Sequence, residues 1–222
     1  PVAIFELLLH LRGADFLIAF EKINQIMKNH KQIHHCLYAD DFYLFAKTKN
    51  PQEVQTSLNK IFIDLNKWCK ISGASISQEK SKHLHICRKN RCSIDQFQIN
   101  SATFTNVKEL KVLGLIFNKT CNWNSHIAFL AGDLSKRINI LKSICGLSSE
   151  SHINSLANVL KSIILSKIDY ALIIYGKASK TQLSIIKKYY HHALRIISQA
   201  FRTTPIMNML TELGLSIEDR YC

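Results

Sequence analysis

Residues 36–46 read CLYADDFYLFA, with an apolar and aromatic run on either side of Asp40 and Asp41. Short β-prone runs around a polar pair predict a β-hairpin. The pair suits a turn poorly, because hairpins favour Asn-Gly or Asp-Gly there and the two carboxylates repel each other. Carboxylates beside apolar segments are costly unless they are paired or bound to cations. The hairpin is therefore a candidate Mg²⁺ site with Asp40 and Asp41 as ligands, and the alternative is an ordinary solvated acidic turn.

The segments around this hairpin show helix and strand patterns. Before it, residues 14–28 repeat apolar side chains at helical spacing. After it, Pro51 opens a helix whose apolar face continues to Leu65, and Gly73 is the predicted stop. The later patterns are two strands, at residues 74–86 and 112–117, and three helices, at 127–144, 153–168 and 181–200. Because strand patterns precede the helical ones, we predict an α+β chain with a boundary near residues 118–122.

The composition indicates a folded, basic protein. The chain has 222 residues, 47% of them hydrophobic, and a net charge of +13. This apolar content is enough for a core and excludes a disordered chain. Residues 1–119 hold 17 Lys and Arg against 10 Asp and Glu, and residues 120–222 hold 12 against 6. Positive charge in both parts favours nucleic acid as the partner, with solubility alone as the alternative.

The cysteines and the length of the apolar runs indicate the cellular compartment in which we expect the protein. The seven cysteines are odd in number and scattered along the chain. No apolar run reaches the roughly 18 residues that a membrane span needs. Residues 1–20 show no secretory signal. We therefore expect reduced thiols, an intracellular location in the nucleus or the cytoplasm, and no membrane partner.

Several motifs resemble, in order, the boxes of reverse transcriptases from non-LTR retrotransposons, the LINE and jockey-like group of transposable elements. LYADDF at residues 37–42 resembles the YADD box, and LNKW at 65–68 resembles the L-x-x-W that closes the following helix. GASISQEKS at 73–81 resembles the palm motif G-L-x-x-N-x-x-K-T, with Ser77 in place of the usual Asn and Lys80 at the lysine.

The resemblance continues downstream. KVLG at residues 111–114 resembles the K-Y-L-G of the primer grip, and WNSHI at 123–127 resembles the W-x-x-H-I that follows it. Shorter similarities extend through the helical region, so the resemblance covers residues 16–222. A single box is weak evidence, but five in order are specific.

The resemblance implies a fold and an activity. The fold is a partial polymerase palm, an antiparallel sheet with helices, in residues 1–119, followed by an all-helical thumb-like region in residues 120–222. The activity is that of an RNA-directed DNA polymerase, a nucleotidyltransferase using two Mg²⁺ ions (or Mn²⁺), an RNA template, a DNA primer and deoxynucleoside triphosphates. Asp40 and Asp41 would be catalytic metal ligands, with Lys80 as the acid for the departing pyrophosphate. The residues implied in nucleic-acid binding are Tyr38, Lys82, Arg88, Lys89, Arg91, Leu113 and Gly114.

Part of the family pattern is missing. In the family, a third carboxylate in a D-x-x-x-A-F-D context and a P-Q-G loop precede the YADD box, and this sequence has no Pro-Gln-Gly. Asp15 begins a stretch similar to that strand and is one candidate for the ligand. However, only 24 residues separate Asp15 from Asp40, and aligning residues 16–19 with the helix after the P-Q-G loop needs no gap. We therefore expect the chain to lack the first catalytic strand, to expose a sheet edge and to be inactive by itself.

Other polar clusters have more than one interpretation. His83, His85, Cys87 and Cys92 suggest a zinc site, but the alternation over residues 83–87 favours a strand. The basic run at residues 80–91 favours phosphate contacts. A third cluster suits a surface that follows a nucleic-acid backbone, with core packing of its aromatic members as the alternative. Its residues are Lys187, Lys188, Tyr189, Tyr190, Arg195 and Arg202.

Two functions compete with a polymerase fragment. One is a non-enzymatic, basic nucleic-acid-binding remnant of such an enzyme. The other is a nucleic-acid-binding module unrelated to polymerases, whose binding would be sensitive to salt but not to Mg²⁺.

Overall fold

The computed structural model describes residues 2–10, 16–30, 32–47, 51–87, 96–99, 102–147 and 153–215. The chain divides into two compact units, residues 1–121 and 122–222. Strands occur in the first unit, and the regular structure of the described part of the second is helical. The mixture of helix and sheet agrees with the predicted α+β class. No helix among the described residues is both long and apolar enough to cross a membrane.

The first unit is built on a mostly antiparallel sheet. Its described elements are β1 (Val2–His10), α1 (Phe16–Lys28), β2 (Ile33–Tyr38), β3 (Asp41–Lys47), α2 (Pro51–Ser72), β4 (Ser75–Ile86), β5 (Gln96–Ile99), β6 (Ala102–Asn106), β7 (Glu109–Val112) and β8 (Leu115–Asn118). Six strands have the order β2-β3-β1-β4-β6-β5, and β7 pairs with β8. Only the β4–β6 pair is parallel among the described pairs. The path β1-α1-β2-β3-α2-β4, with β1 between β3 and β4, has the connectivity of a ferredoxin-like split β-α-β sheet.

Strand β1 occupies the centre of this part of the sheet, where we expected a missing strand and an exposed edge. Phe5 pairs with Leu44 of β3 on one side and with His83 of β4 on the other. Phe5 and Leu7 are buried on one face of the strand and Ile4 on the other. A strand covered on both faces needs a nearly continuous apolar sequence, which this segment supplies. The expectation of an open edge next to β3 was therefore wrong.

Helices α1 and α2 cover one face of the sheet. The core there contains Ile23 and Met27 of α1, Leu58, Ile61 and Leu65 of α2, and Phe5, Leu7, Phe42 and Leu44 of the strands. Burying each large apolar side chain contributes about 1.5–3 kcal/mol. Helix α2 begins at Pro51 as predicted, and Gly73 follows its last residue with a φ of +70°. Helix α1 begins at Phe16, and residues 14 and 15 of the predicted helix lie outside the described residues.

The β7–β8 hairpin packs on the opposite face. Leu110 and Val112 join a buried cluster with Ile4, Tyr43 and Leu84 of the large sheet. The strand register places two acidic residues on the same face as this cluster, because paired residues of antiparallel strands share a face. They are Glu6, which pairs with both Tyr43 and Lys82, and Asp41, which lies two residues before Tyr43.

The second unit consists of helices. They are α3 (Asn124–Leu147), α4 (Ile153–Leu160), α5 (Ser166–Asp169), α6 (Leu172–Tyr175), α7 (Lys180–Ile197) and α8 (Ile206–Glu212), with a π-helical turn at Lys161–Leu165 between α4 and α5. Helix α7 starts with a capping box, in which the backbone N–H of Gln182 donates to Ser179 Oγ and that of Ser179 donates to Gln182 Oε1. Such a box satisfies two backbone donors that a helix start otherwise leaves open.

Candidate active site

The β2–β3 hairpin presents the acidic pair at its tip. Tyr38 pairs with Asp41, so Ala39 and Asp40 form the turn and Asp41 begins β3. This differs from a turn made by Asp40 and Asp41 themselves. Ala39 has a φ of +48°, a left-handed conformation that costs a non-glycine residue about 1–2 kcal/mol. Tyr38 and Asp40 are exposed and Asp41 is half-buried, so the tip offers its carboxylates to solvent from a strained turn.

The end of β1 fixes this tip. The backbone N–H of Leu9 donates to the carbonyl oxygen of Asp40 at 2.8 Å. One residue earlier, Leu8 pairs with Asp41 in the β1–β3 register. The position on the neighbouring strand that faces Asp41 is therefore held by an apolar residue.

Tyr43 links Asp41 to a second carboxylate. Its hydroxyl lies 3.3 Å from Asp41 Oδ2 and 3.4 Å from Glu6 Oε1. A hydroxyl has one proton, so it can donate to only one of the two oxygens at a time. Burial and the two carboxylates raise the pKa of Tyr43, so this proton stays on the ring oxygen at physiological pH. The backbone of Leu113 also forms a hydrogen bond with Tyr43.

Glu6 is the half-buried partner in this network. Burial raises the pKa of Glu6 and the charge of Asp41 raises it further, whereas Lys82 and the Tyr43 hydrogen bond oppose the rise. A raised pKa widens the pH range over which Glu6 is protonated. A protonated Glu6 can donate to the Tyr43 hydroxyl while that hydroxyl donates to Asp41, which resolves the shortage of protons between them.

The predicted phosphate-binding lysines lie on β4. Lys82 is exposed and pairs with Glu6 in the β1–β4 register. Lys80 belongs to the same strand, but its side chain is outside the described part of the structure. Arg88, Lys89 and Arg91 lie outside the described residues, as does Asp15, the alternative third ligand.

Leu113 and Gly114 form the turn of the β7–β8 hairpin. Their φ angles are +46° and +84°. The predicted single strand at residues 112–117 was wrong, because this turn divides it into β7 and β8. The apolar alternation is similar on both sides of the turn, and Leu-Gly is a weaker turn signal than Asn-Gly. Leu113 packs against the cluster that contains Tyr43, so the turn is held next to the acidic site.

The structure thus brings together Asp41, Lys82 and Leu113 around Glu6 and Tyr43, and it exposes Tyr38 and Asp40 at the adjacent tip. Sequence reasoning missed Glu6 and Tyr43. An acidic residue in an otherwise apolar segment was a signal for Glu6, but the segment was not predicted as a strand. Tyr43 was counted only as a hairpin aromatic, although its position two residues after Asp41 places both on one face of β3.

The two described carboxylates at the hairpin tip do not by themselves form a site for two metal ions. Within the described ranges, no group of three or more His, Cys, Asp and Glu side chains is arranged to hold a metal. Two-ion phosphoryl transfer needs ligands that fix both ions about 3.5–4 Å apart. Asp40 and Asp41 do not meet that requirement by themselves.

The histidines of the suggested zinc site are core residues. His83 and His85 are buried in β4, and His83 stacks on Phe5 with ring centroids 5.7 Å apart. Burial lowers the pKa of His85. This placement agrees with the strand interpretation of residues 83–87, and Cys92 is not among the described residues.

Comparison with known proteins supports the polymerase resemblance. Residues 13–117 match the family of reverse transcriptases (RNA-dependent DNA polymerases). The chain is 24% identical over 163 residues to an RNA-directed DNA polymerase from mobile element jockey of Drosophila funebris. It is 22% identical over 163 residues to the polymerase of the same description from Drosophila melanogaster. Each match spans 73% of this chain and 18% of the relative.

No solved structure matches the chain significantly. The family match includes the YADD hairpin, the lysine motif and the β7–β8 turn, which are the elements that meet at the site. The resemblance to a non-LTR, jockey-like reverse transcriptase is therefore confirmed over a partial stretch of that enzyme. Residues 13–117 are similar in sequence to the reverse transcriptase (RNA-dependent DNA polymerase) family.

Proposed function

We propose that this chain is part of the palm and the thumb of a retrotransposon reverse transcriptase. The supporting observation is the position of Asp40 and Asp41 at the tip of a hairpin in an antiparallel sheet, within the residues that match the family. Helices cover one face of that sheet, and the carboxylates, Lys82 and the β7–β8 turn lie on or beside the other. The substrates of the whole enzyme would be an RNA template, a DNA primer and deoxynucleoside triphosphates.

Each site residue has a role in this proposal. Asp40 and Asp41 would be the ligands that this chain contributes for Mg²⁺ or Mn²⁺. Lys80 would protonate the departing pyrophosphate, which is general-acid catalysis by a positioned amine. The Leu113-Gly114 turn would support the primer end. The side chains proposed to contact nucleic acid are Tyr38, Lys82, Arg88, Lys89 and Arg91.

The chain by itself is proposed to bind nucleic acid without extending a primer. The β1–β3 register pairs apolar Leu8 with Asp41, so this neighbouring position carries no carboxylate. Glu6 lies two residues earlier, where burial and the charge of Asp41 raise its pKa. The same observation supports the second candidate, a non-enzymatic nucleic-acid-binding remnant. The +13 charge favours binding in either case.

We place the protein in a reducing compartment, the nucleus or the cytoplasm. Among the described cysteines, Cys36, Cys69 and Cys145 carry free thiols. Free thiols are usual in reducing compartments and rare in secreted proteins. Imaging of a tagged chain in cells tests this location, and a secreted product would contradict it.

The β1–β3 register gives a direct test of the missing ligand. Leu8→Asp would put a carboxylate opposite Asp41, and Leu8→Asn is the uncharged control of similar size. We expect Leu8→Asp to bind Mn²⁺ at least about tenfold more tightly than the wild type or Leu8→Asn, the effect usual for a metal-site residue. Electron paramagnetic resonance of free Mn²⁺ measures this, and circular dichroism shows whether each variant is folded.

The same preparations test the polymerase assignment. A hybrid of an RNA template and a shorter DNA primer should bind the wild-type chain, as followed by fluorescence anisotropy. Equal Mn²⁺ binding by folded Leu8→Asp and Leu8→Asn would contradict the assignment of the metal site. A folded wild-type chain that does not bind the hybrid would contradict the proposed function itself.

A further inference from the structure

A basic cavity lies in the helical unit. It has a volume of about 410 Å³, and the described residues that line it are Lys188, His192, Arg195 and Arg202. All four have basic side chains, and no acidic side chain is among them. Such a cavity is electrostatically suited to an anion.

The local fold brings these residues together. Lys188, His192 and Arg195 are spaced by four and three residues along α7, so they share one face of the helix. After α7, Gln199 adopts a φ of +50°, and the N–H of Ala200 donates to the carbonyl of Arg195 at 3.2 Å. This i to i−5 bond with a left-handed residue closes the helix and reverses the chain. The reversal returns Arg202 to the cavity.

No nearby acidic residue in the sequence compensates this charge. Residues 170–211 contain six Lys and Arg and no Asp or Glu. Lys142 of α3 adds a further positive charge near His192. Burial lowers the pKa of His192, and the charges of Lys142 and Arg195 lower it further. Like charges that line one cavity repel each other, and a bound anion would reduce that repulsion.

Arg195 has unused donor capacity. Its Nη1 donates to the backbone carbonyl of His191 at 3.3 Å. Its Nε is buried, and among the described residues it has no hydrogen-bond partner. A cation near a helix C-terminus can stabilise the helix dipole, which explains Arg195 in the last turn of α7. It does not explain Lys188, which lies more than two turns from that end, or Arg202, which lies beyond it.

We infer that this cavity is a binding site for a backbone phosphate of a nucleic-acid strand. A phosphodiester supplies charge and acceptor oxygens for a guanidinium and an ammonium group. The inference rests on the proposed function for the kind of nucleic acid, an RNA–DNA hybrid. It adds a contact in the second unit that is separate from the acidic hairpin.

The test compares two double variants of the full chain. Lys188→Gln with Arg202→Gln removes two cavity charges and leaves Arg195 in place. Lys161→Gln with Lys180→Gln is the matched control, because both lysines are exposed in the same unit and do not line the cavity. The probes are a fluorescein-labelled RNA–DNA hybrid, followed by anisotropy over a range of salt concentrations, and inorganic phosphate, followed by its effect on the melting temperature.

We expect the cavity variant to bind the hybrid about tenfold more weakly, with a salt slope reduced by about one for each lost phosphate contact. The control should lose less than about threefold, and phosphate should stabilise the wild type and the control but not the cavity variant. Equal losses in the two variants would overturn the inference and leave only general charge attraction.

Two further results separate this inference from the proposed function. If the wild type does not bind the hybrid but phosphate stabilises it through Lys188 and Arg202, the proposed function fails and the phosphate site remains. If the cavity variant loses binding to anionic lipid vesicles while its hybrid binding is unchanged, the site belongs to a membrane surface and the inference is wrong.

Discussion

At the scale of single residues, the hydroxyl proton of Tyr43 lies between two carboxylates of the acidic site. Tyr43 contacts both Asp41 and Glu6, but it can donate to only one of them. Glu6 is the carboxyl whose pKa is raised, chiefly by burial. When Glu6 is protonated, its O–H can donate to the Tyr43 hydroxyl, and that hydroxyl can then donate to Asp41.

Glu6→Gln should therefore stabilise the protein at high pH. The pKa of Glu6 in the folded protein lies above its ordinary value of 4.5, so the stability that the native carboxyl gives is present at low pH and is lost as the pH rises through the folded pKa. Solvent screening of this half-buried group limits the expected gain in melting temperature at pH 8 to about 2 °C. Thermal melts at pH 4 and pH 8 measure it.

The pH comparison is the control for this prediction. At pH 4 the melting temperatures of the variant and the wild type should approach each other, because Glu6 is then protonated in both the folded and the unfolded chain. A gap that is constant with pH, or that widens as the pH falls, would show that Glu6 carries no raised pKa.

At the scale of elements, the sequence predicted those strands and helices that are marked by a change from apolar to polar residues or by Pro and Gly at their ends. The β2–β3 hairpin and α2 were predicted because Asp40 and Asp41 interrupt an apolar run and Pro51 and Gly73 mark helix ends. Strand β1 was not, because an apolar segment that is buried on both faces lacks the alternation that identifies a strand. The π-helical turn at Lys161–Leu165 has no sequence signal that we recognise.

The residues of the acidic site that lie in local motifs could be predicted from the sequence, and those that depend on strand pairing could not. Local motifs indicated Asp40, Asp41, Lys82, Leu113 and Gly114 as candidate residues, but they did not predict that Leu113 and Gly114 form a turn. The link through Glu6 and Tyr43 depends on the register between β1 and β3, which strands far apart in sequence establish only when they pair.

The last turn of α6 gives a prediction for the second unit. A Cβ at Gly176 would lie 2.5 Å from the carbonyl oxygen of Leu172, a backbone atom that already accepts the N–H of Gly176 at 2.6 Å. Gly176→Ala should lower the free energy of unfolding by about 1–3 kcal/mol, the usual cost of overpacking. Urea unfolding followed by circular dichroism measures this.

Gly132→Ala is the matched control, because Gly132 lies inside α3 and a Cβ there meets nothing within 4 Å. This control should raise the stability by about 0.5–1 kcal/mol, because alanine is the better helix former. If Gly176→Ala unfolded at the same urea concentration as the wild type, the close approach at α6 would be wrong.

At the scale of the whole molecule, the positive charge favours binding to nucleic acid. Both units carry excess positive charge, and the described acidic site holds Asp40, Asp41 and Glu6, with Leu8 at the position paired with Asp41. We expect the affinity for an RNA–DNA hybrid to fall about a hundredfold between ~50 and ~200 mM salt, as for about four phosphate contacts. Anisotropy titrations measure the slope, and affinity that is independent of salt would contradict phosphate binding.

The most direct test of the central claim is primer extension on an RNA template with Mg²⁺, using folded wild-type chain that binds the template–primer. The Asp40→Asn, Asp41→Asn double variant is the control. We predict binding by the wild type and no extension product from either protein, because the described residues at the hairpin do not form a complete set of metal ligands. Extension by the wild type that disappears in the double variant would contradict this account and would mean that the chain holds a third ligand of its own.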